Sequence, residues 1–165
     1  MSFAPSTLKE LMQHIPQIGT VQWIGVRPIK RGPLVEVSAV EVTIEKGLEN
    51  DHYSKTDGNR MVTLIQAEHL QVVENIMGIE NLDPKLLRRN IVVAGINLLA
   101  LKDQVVRIGD EVLLSITGQC HPCSRMEENL GAGGYSAMRG HGGMTAKVLH
   151  GGSIKIGDSV KMELP

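Results

Sequence analysis

Short runs rich in β-branched residues recur along the whole chain, while helical stretches are too few to cover a sheet on both faces. Strand-like segments begin at Thr20, Leu34, Met61, Ile91, Val105, Val112, Ala146, Ile154 and Val160. A parallel sheet needs helices on both faces, whereas antiparallel strands can close on themselves and bury one face inside. The pattern therefore predicts a mainly β protein, a closed or nearly closed β-barrel with a few short peripheral helices. One design occurs twice: Val106-Arg107-Ile108-Gly109-Asp110-Glu111-Val112 and Ile154-Lys155-Ile156-Gly157-Asp158-Ser159-Val160 both read as strand, Gly-Asp turn, strand. Each predicts a β-hairpin.

Between these strands the punctuation is specific. Thr7 and Glu10 form a capping-box pattern ahead of Leu8, Leu11, Met12 and Ile15, which predicts a short N-terminal helix stopped by Pro16. Thr20 to Val26 and Leu34 to Ile44 read as strands joined by the turn-rich stretch Arg27 to Pro33. The segment from Gly47 to Arg60 is polar, glycine-punctuated and long enough to suggest function. Leu64, Ala67, Leu70, Val73 and Met77 fall on one helical face that Gly78 ends. Asp83-Pro84 reads as an N-cap followed by proline at the first helical position, and the turn it opens delivers Arg88-Arg89-Asn90 to the strand at Ile91. Arginine pairs are commonly solvated, but the guanidinium fork also suits phosphate or carboxylate.

Composition narrows the chemistry. With 17 basic and 18 acidic residues in 165, the net charge of -1 gives no sign of a nucleic-acid polymer as partner. Aromatic residues make up only 2%, too few for a base-stacking surface. The opening Met1-Ser2-Phe3-Ala4-Pro5 lacks the charged and apolar regions of an export signal, and no run approaches the roughly 18 apolar residues of a membrane span. A cytoplasmic protein without membrane attachment is expected. There, two close cysteines point to redox or metal chemistry more than to a structural disulfide.

Both cysteines lie in Gly118-Gln119-Cys120-His121-Pro122-Cys123-Ser124-Arg125-Met126-Glu127-Glu128, directly after the strand-like Val112 to Ile116. Ser124 with Glu127 is a second capping-box pattern, which predicts a helix beginning at Ser124 with Cys123 just outside it. A helix start favours thiolate, so Cys123 is the better nucleophile or metal ligand on local grounds and Cys120 its redox partner. Several readings stay open at this point. A thioredoxin-like dithiol has this spacing, although the helix stops by Gly131 and no early β-α-β frame precedes it. A four-ligand zinc site would need His141 and His150 as well. Two free cysteines can also simply pack as small apolar residues. Downstream, Leu130 to Met144 is dense in glycine and carries Arg139 and His141, a stretch able to bring backbone N–H groups to an anion. It lacks the Gly-Lys-Ser/Thr ending of a nucleotide-triphosphate loop.

Taken in order, Gly47-Leu48-Glu49-Asn50-Asp51-His52-Tyr53, Arg60 to Leu64, Leu87-Arg88-Arg89-Asn90-Ile91, Ile108-Gly109-Asp110, Cys120-His121-Pro122-Cys123, His141-Gly142-Gly143 and Gly152 to Asp158 resemble a MOSC domain, the module at the C-terminus of molybdenum-cofactor sulfurases. The resemblance runs from about Trp23 to Val160, within one domain over residues 1–165 whose motif-bearing core is about 20–162. It implies a stand-alone protein of bacterial type, a β-barrel fold, and the molybdenum cofactor, a molybdopterin-type dithiolene with a terminal phosphate. No pyridoxal phosphate site is expected, because the chain has no room for the cysteine-desulfurase domain of the sulfurases.

Residue by residue, Cys123 matches the family cysteine that ligates molybdenum or carries a persulfide. Arg89 and Asn90 match an Arg-Asn element suited to the cofactor phosphate or pterin. Asp51 and His52 match a Gly-Asp-His/Arg element, with Asn50 in the glycine position; asparagine tolerates the left-handed conformation. Pro122 stands where divergent sulfurase members have arginine, so no role of that arginine is carried over. The resemblance implies a small molybdoenzyme that reduces N-hydroxylated compounds, acting on a small-molecule substrate with a separate electron donor. An alternative is a sulfur-carrier or delivery module serving a cofactor-accepting protein, and a further one is a dithiol protein using Cys120 and Cys123. His121, His52 and His141 are candidates for proton transfer, with His121 placed beside Cys123 as catalytic, and Arg139 is a candidate anion ligand.

Overall fold

The computed structural model describes residues 7–53 and 58–164; the opening segment through Pro5 and positions 54–57 of the polar loop lie outside the described residues. Its strands are β1 Gly19–Val26, β2 Val35–Val37, β3 Ala39–Thr43, β4 Gly47–Leu48, β5 Val62–Gln66, β6 Ile91–Ala94, β7 Val105–Ile108, β8 Val112–Gln119, β9 Met144–His150, β10 Gly152–Lys155 and β11 Ser159–Glu163. The helices are α1 Leu8–Met12, α2 Ala67–Met77, α3 Ser124–Leu130 and α4 Gly134–Met138, with 3-10 turns at Pro84–Leu87 and Leu98–Leu101.

The expected barrel is present and closed. Its ring runs β1-β11-β7-β8-β9-β5-β6 and back to β1, and every pairing is antiparallel except β5 with β6. Closure joins the first strand to the last, Gly19 opposite Val160 and Thr20 opposite Ser159. A second sheet, β10-β3-β4, packs beside the ring. No helix among the described residues is long and apolar enough to cross a membrane.

Two cores explain the apolar patterning. Inside the ring lie Val21, Ile24, Leu64, Ile91, Val93, Val106, Leu114, Ile116 and Ala146, with Val40, Val42 and Ile154 of the second sheet. Outside it, Trp23, Ile65 and Val92 pack under α2, α3 and α4 with Val73, Met126 and Met138. Strands β5 and β6 are therefore covered on both faces and read as continuous apolar runs, whereas β7 and β8 alternate buried with partly exposed positions.

Three sequence expectations need correction. The first Gly-Asp segment is the β7–β8 hairpin, but the second joins two sheets: β10 pairs with β3, and β11 pairs with β7 and β1. The Asp158 carboxylate accepts from Lys155 N at 2.9 Å and Gly157 N donates to Val21 O at 2.8 Å, so the turn is anchored to the barrel wall and not to a hairpin partner. The single strand expected over Leu34 to Ile44 divides at Ser38, where the chain leaves β1 for the second sheet. Leu64 belongs to β5 and faces the barrel interior; the helix starts only at Ala67, because the β-branched residues before it are held by pairing with β6 and β9. The N-terminal helix has its capping box as expected, with Gly78 likewise the left-handed end of α2.

The fold positions the cysteine segment by a close return. Residues 120–143 leave the barrel after Gln119 and rejoin it at Met144, which is the register partner of Gln119. Cys120 N donates to Gly143 O at 2.8 Å, closing the excursion. Gly143 has φ +89, and a Cβ there would stand 2.0 Å from Leu64 O. Gly143→Ala is expected to lower unfolding free energy by about 3 kcal/mol or more through strain and collision. Gly140→Ala, at φ +81 with nothing within 4 Å of the added atom, is expected to cost about 1 kcal/mol. Urea unfolding of the two variants checks the difference.

Candidate functional site

At one end of the barrel β1 runs out into Arg27, β6 is entered from Arg88-Arg89-Asn90, and β8 and β9 are joined by the cysteine excursion. Asn90, 1% exposed, holds these segments together. Its Oδ1 accepts from Thr63 N at 3.1 Å and Thr63 Oγ1 at 3.0 Å, and its Nδ2 donates to Gly25 O at 3.1 Å and Asp51 Oδ1 at 3.4 Å. Asp51 also accepts from Arg27 N at 2.8 Å and Tyr53 N at 3.3 Å. The preceding Asn50 has φ +65, the left-handed conformation that its place in the turn called for. His52 reaches Arg27 O through both its backbone N (2.7 Å) and its ring Nδ1 (3.3 Å).

Arg89 is 6% exposed, so the solvated reading fails for it. Its donors go to backbone carbonyls: Nε to Gly142 O at 2.6 Å, Nη1 to Leu87 O at 3.1 Å, and Nη2 to Cys120 O at 3.5 Å and His121 O at 3.4 Å. Burial pulls its pKa below the ordinary arginine value; Cys120 and Cys123 oppose that pull, while Arg27 and Arg60 add to it. For Arg88 burial has the same effect, reinforced by Arg125 and Arg27 and opposed by Cys123 and Asp51.

Cys123 is exposed and Cys120 buried, and both thiols are free. Cys123 is the residue immediately before α3, as the sequence indicated, and its side chain makes no capping bond. The Ser124–Glu127 capping box does not form. Glu127 instead accepts from Gly133 N at 2.9 Å and Tyr135 N at 3.0 Å, bonds that hold its carboxyl pKa below the usual value and tie α3 to the start of α4.

A cavity of about 370 Å³ opens among these groups. Arg27, Arg60, Arg88 and Arg89 line it together with His52, Tyr53, Thr63, Cys120, His121 and Cys123, and no carboxylate among the described residues joins them. Arg27 Nε is buried without a hydrogen-bond partner among the described residues, 3.6 Å from Asp51 Oδ1. A second cavity of about 610 Å³ adjoins it and shares His121; Gln119, Tyr135, Ser136 and Arg139 line that one.

The expected site residues thus divide. Cys123, His121, His52 and Arg89 meet in the arginine cavity, and Arg139 lies in its neighbour. Asn90 and Asp51 stand behind the wall with their side chains bonded to protein groups. His141 lines neither cavity: its Nδ1 lies 3.1 Å from Ala137 O and its ring meets His69 edge-on at 5.1 Å. The zinc arrangement is not formed either, since His150 sits at the far end of β9 opposite Leu113, and no three His, Cys, Asp or Glu among the described residues converge to hold a metal. Sequence reasoning did not single out Arg27 and Arg60. Each stands at a strand end, the position from which Arg89 was inferred, and that shared placement was the available signal.

Fold and cavity together define a small β-barrel protein with free thiols and cationic side chains gathered at one end. The MOSC domain profile matches residues 45–161, and the chain is therefore a member of the MOSC domain family, a family associated with the molybdenum cofactor. No curated protein sequence matches the chain. Among solved structures it is similar to the YuaD protein of Bacillus subtilis, with TM-score 0.77 and 15% identity over 89% of this chain and 97% of that one. It is also similar to YiiM of Geobacillus stearothermophilus, with TM-score 0.70 and 16% identity over 88% and 75% of the two chains. For YiiM of Escherichia coli the values are 0.67, 15%, 88% and 70%. These likenesses reach residues before 45, where β1 completes the ring.

The cavity's chemistry fits an anionic group with a thiol-seeking centre: guanidiniums face it, one buried Nε has no hydrogen-bond partner among the described residues, and a thiol free of capping bonds borders it.

Two measurements test this division of roles. Arg89→Met is expected to destabilise the fold by about 3 kcal/mol or more, because it strands buried carbonyls, whereas Arg60→Gln, at an exposed position, should stay within about 0.5 kcal/mol in denaturant unfolding. The second concerns His69, whose pKa is lowered first by burial and then by His141, against an opposing effect of Glu68. Above the ordinary histidine pKa both folded and unfolded forms are neutral. As pH falls through it, the unfolded chain binds the proton first, so stability declines until the lower folded pKa is passed. His69→Gln should flatten the stability profile just below pH 6.5.

Proposed function

We propose that this protein holds a molybdenum cofactor in the arginine cavity, with Cys123 as the protein ligand of the metal, and reduces N-hydroxylated compounds with electrons from a separate donor. The observation that carries this reading is the thiol of Cys123, exposed and free of capping bonds, beside a cavity of guanidiniums with no carboxylate among its described lining. Thiolate suits a soft-leaning metal centre, and arginine suits a phosphate. When bound, the metal centre supplies two-electron exchange with substrate.

The chain's own residues have separate tasks in this reading. Arg27, Arg60 and Arg88 hold the anionic end of the cofactor, while Arg89 fixes the wall through the carbonyls it binds. His121, exposed and common to both cavities, passes a proton to a substrate seated in the larger one, where Arg139 and Gln119 offer polar contacts. The exposure of Cys123 also favours a second reading, a persulfide or cofactor carrier that must meet a partner protein.

Metal and pterin analysis of protein from a molybdenum-replete host decides between them. About one molybdenum per chain, lost together with reductase activity in Cys123→Ala and retained in Cys120→Ala, is the expected result. Cyanolysable sulfur on Cys123 without molybdenum would support the carrier, and Cys120–Cys123 disulfide cycling without metal would support a dithiol protein.

A further inference from the structure

The chain has eight arginines and a net charge of -1, yet the arginines are not spread evenly. Four line the cavity, Arg139 lines its neighbour, and Arg107 is on β7 in a bidentate pair with Glu163. The remaining two, Arg31 and Arg125, are in contact, the Arg125 guanidinium with the Arg31 carbonyl. Arg125, second residue of α3, donates through Nη1 to Arg31 O at 3.4 Å, and Arg88 donates through Nη1 to Gly32 O at 2.9 Å. The acceptors are carbonyls of consecutive residues, so the guanidiniums of Arg88 and Arg125 stand side by side over one turn. No carboxylate among the described residues pairs with either.

Such a pair is costly when alone. Each guanidinium carries five donors and a fixed charge, and each of these two has one hydrogen bond to protein among the described residues. Arg125 is the nearby charge that most lowers the pKa of Arg88. Arginine side by side without an acid is the arrangement that an oxyanion relieves through bidentate bonds. Arg88 belongs to both environments, lining the cavity while standing beside Arg125, which does not line it. A phosphate held by the lining arginines Arg27, Arg60 and Arg88 leaves Arg125 without an oxyanion, and the place for a second phosphate is the pair that Arg125 forms with Arg88 over the carbonyls of Arg31 and Gly32.

We propose that the ligand of this cavity presents a diphosphate, with the outer phosphate seated between Arg88 and Arg125. This rests on the anion-binding reading of the cavity. The shared chemistry is a diphosphate, which a pterin joined to a nucleotide would supply within the cofactor and a diphosphate-bearing substrate would supply by itself.

Calorimetric titration of cofactor-free protein at fixed ionic strength, with inorganic phosphate and with pyrophosphate as probes, tests it. Wild type should bind pyrophosphate at least about tenfold more tightly than phosphate, and Arg125→Gln should bring the ratio to within about threefold while leaving phosphate affinity unchanged. Lys30→Gln, which removes a charge from an exposed position of the same loop, should preserve the ratio. A ratio unchanged in Arg125→Gln, or lost equally in Lys30→Gln, overturns the diphosphate site and leaves the cavity reading intact. If neither anion binds wild type, the cavity reading falls and this inference with it. Mass spectrometry of the ligand released from loaded protein then assigns the source, nucleotide-bearing pterin or pterin monophosphate alone.

Discussion

The guanidinium of Arg89 is the interaction on which this end of the molecule depends. It sits where β6 begins and binds carbonyls from both ends of the cysteine excursion, Cys120 and His121 at its departure and Gly142 at its return. A buried cation is unfavourable unless its hydrogen bonds are satisfied, and backbone carbonyls satisfy these without introducing a countercharge. The wall therefore keeps its positive charge. Had a carboxylate partnered Arg89, the fold could be equally firm, but the cavity would have lost the potential that attracts an anion.

That choice divides the arginines by the state of their donors. Arg89 is engaged on all sides and acts as framework. Among the described residues Arg27 has a buried Nε that is 3.6 Å from Asp51 but makes no hydrogen bond, Arg88 has one side-chain hydrogen bond to protein and Arg60 has none, so these retain donors for a ligand. Asn90 and Asp51 belong with Arg89: they stitch β1, β5 and β6 together and bring Arg27 to the cavity edge.

Much of the fold was legible because local chemistry and tertiary demand agreed. The β-branched runs became strands, Thr7 and Asp83 capped the turns they preceded, and Cys123 stood just outside α3. What was not legible depended on partners far along the chain. A Gly-Asp turn looks the same whether its flanks pair with each other or with strands more than a hundred residues away, as β10 and β11 do with β3 and β1. Glu127 had the spacing for a capping box, yet the backbone N–H groups of Gly133 and Tyr135 claimed its carboxylate once α4 folded back. The site followed the same rule. Cys123 and Arg89 announced themselves by local pattern, whereas Arg27 and Arg60 became part of it only when the ring brought their strand ends together.

In the proposed loaded protein the Cys123 sulfur meets the metal of the cofactor while the arginines hold the cofactor's anionic end. X-ray absorption at the molybdenum edge of loaded wild-type protein and of Cys123→Ser tests it most directly. One fewer sulfur is expected in the metal's first coordination shell of the serine variant, with the remaining sulfur ligands unchanged. An identical sulfur count in both proteins would contradict it.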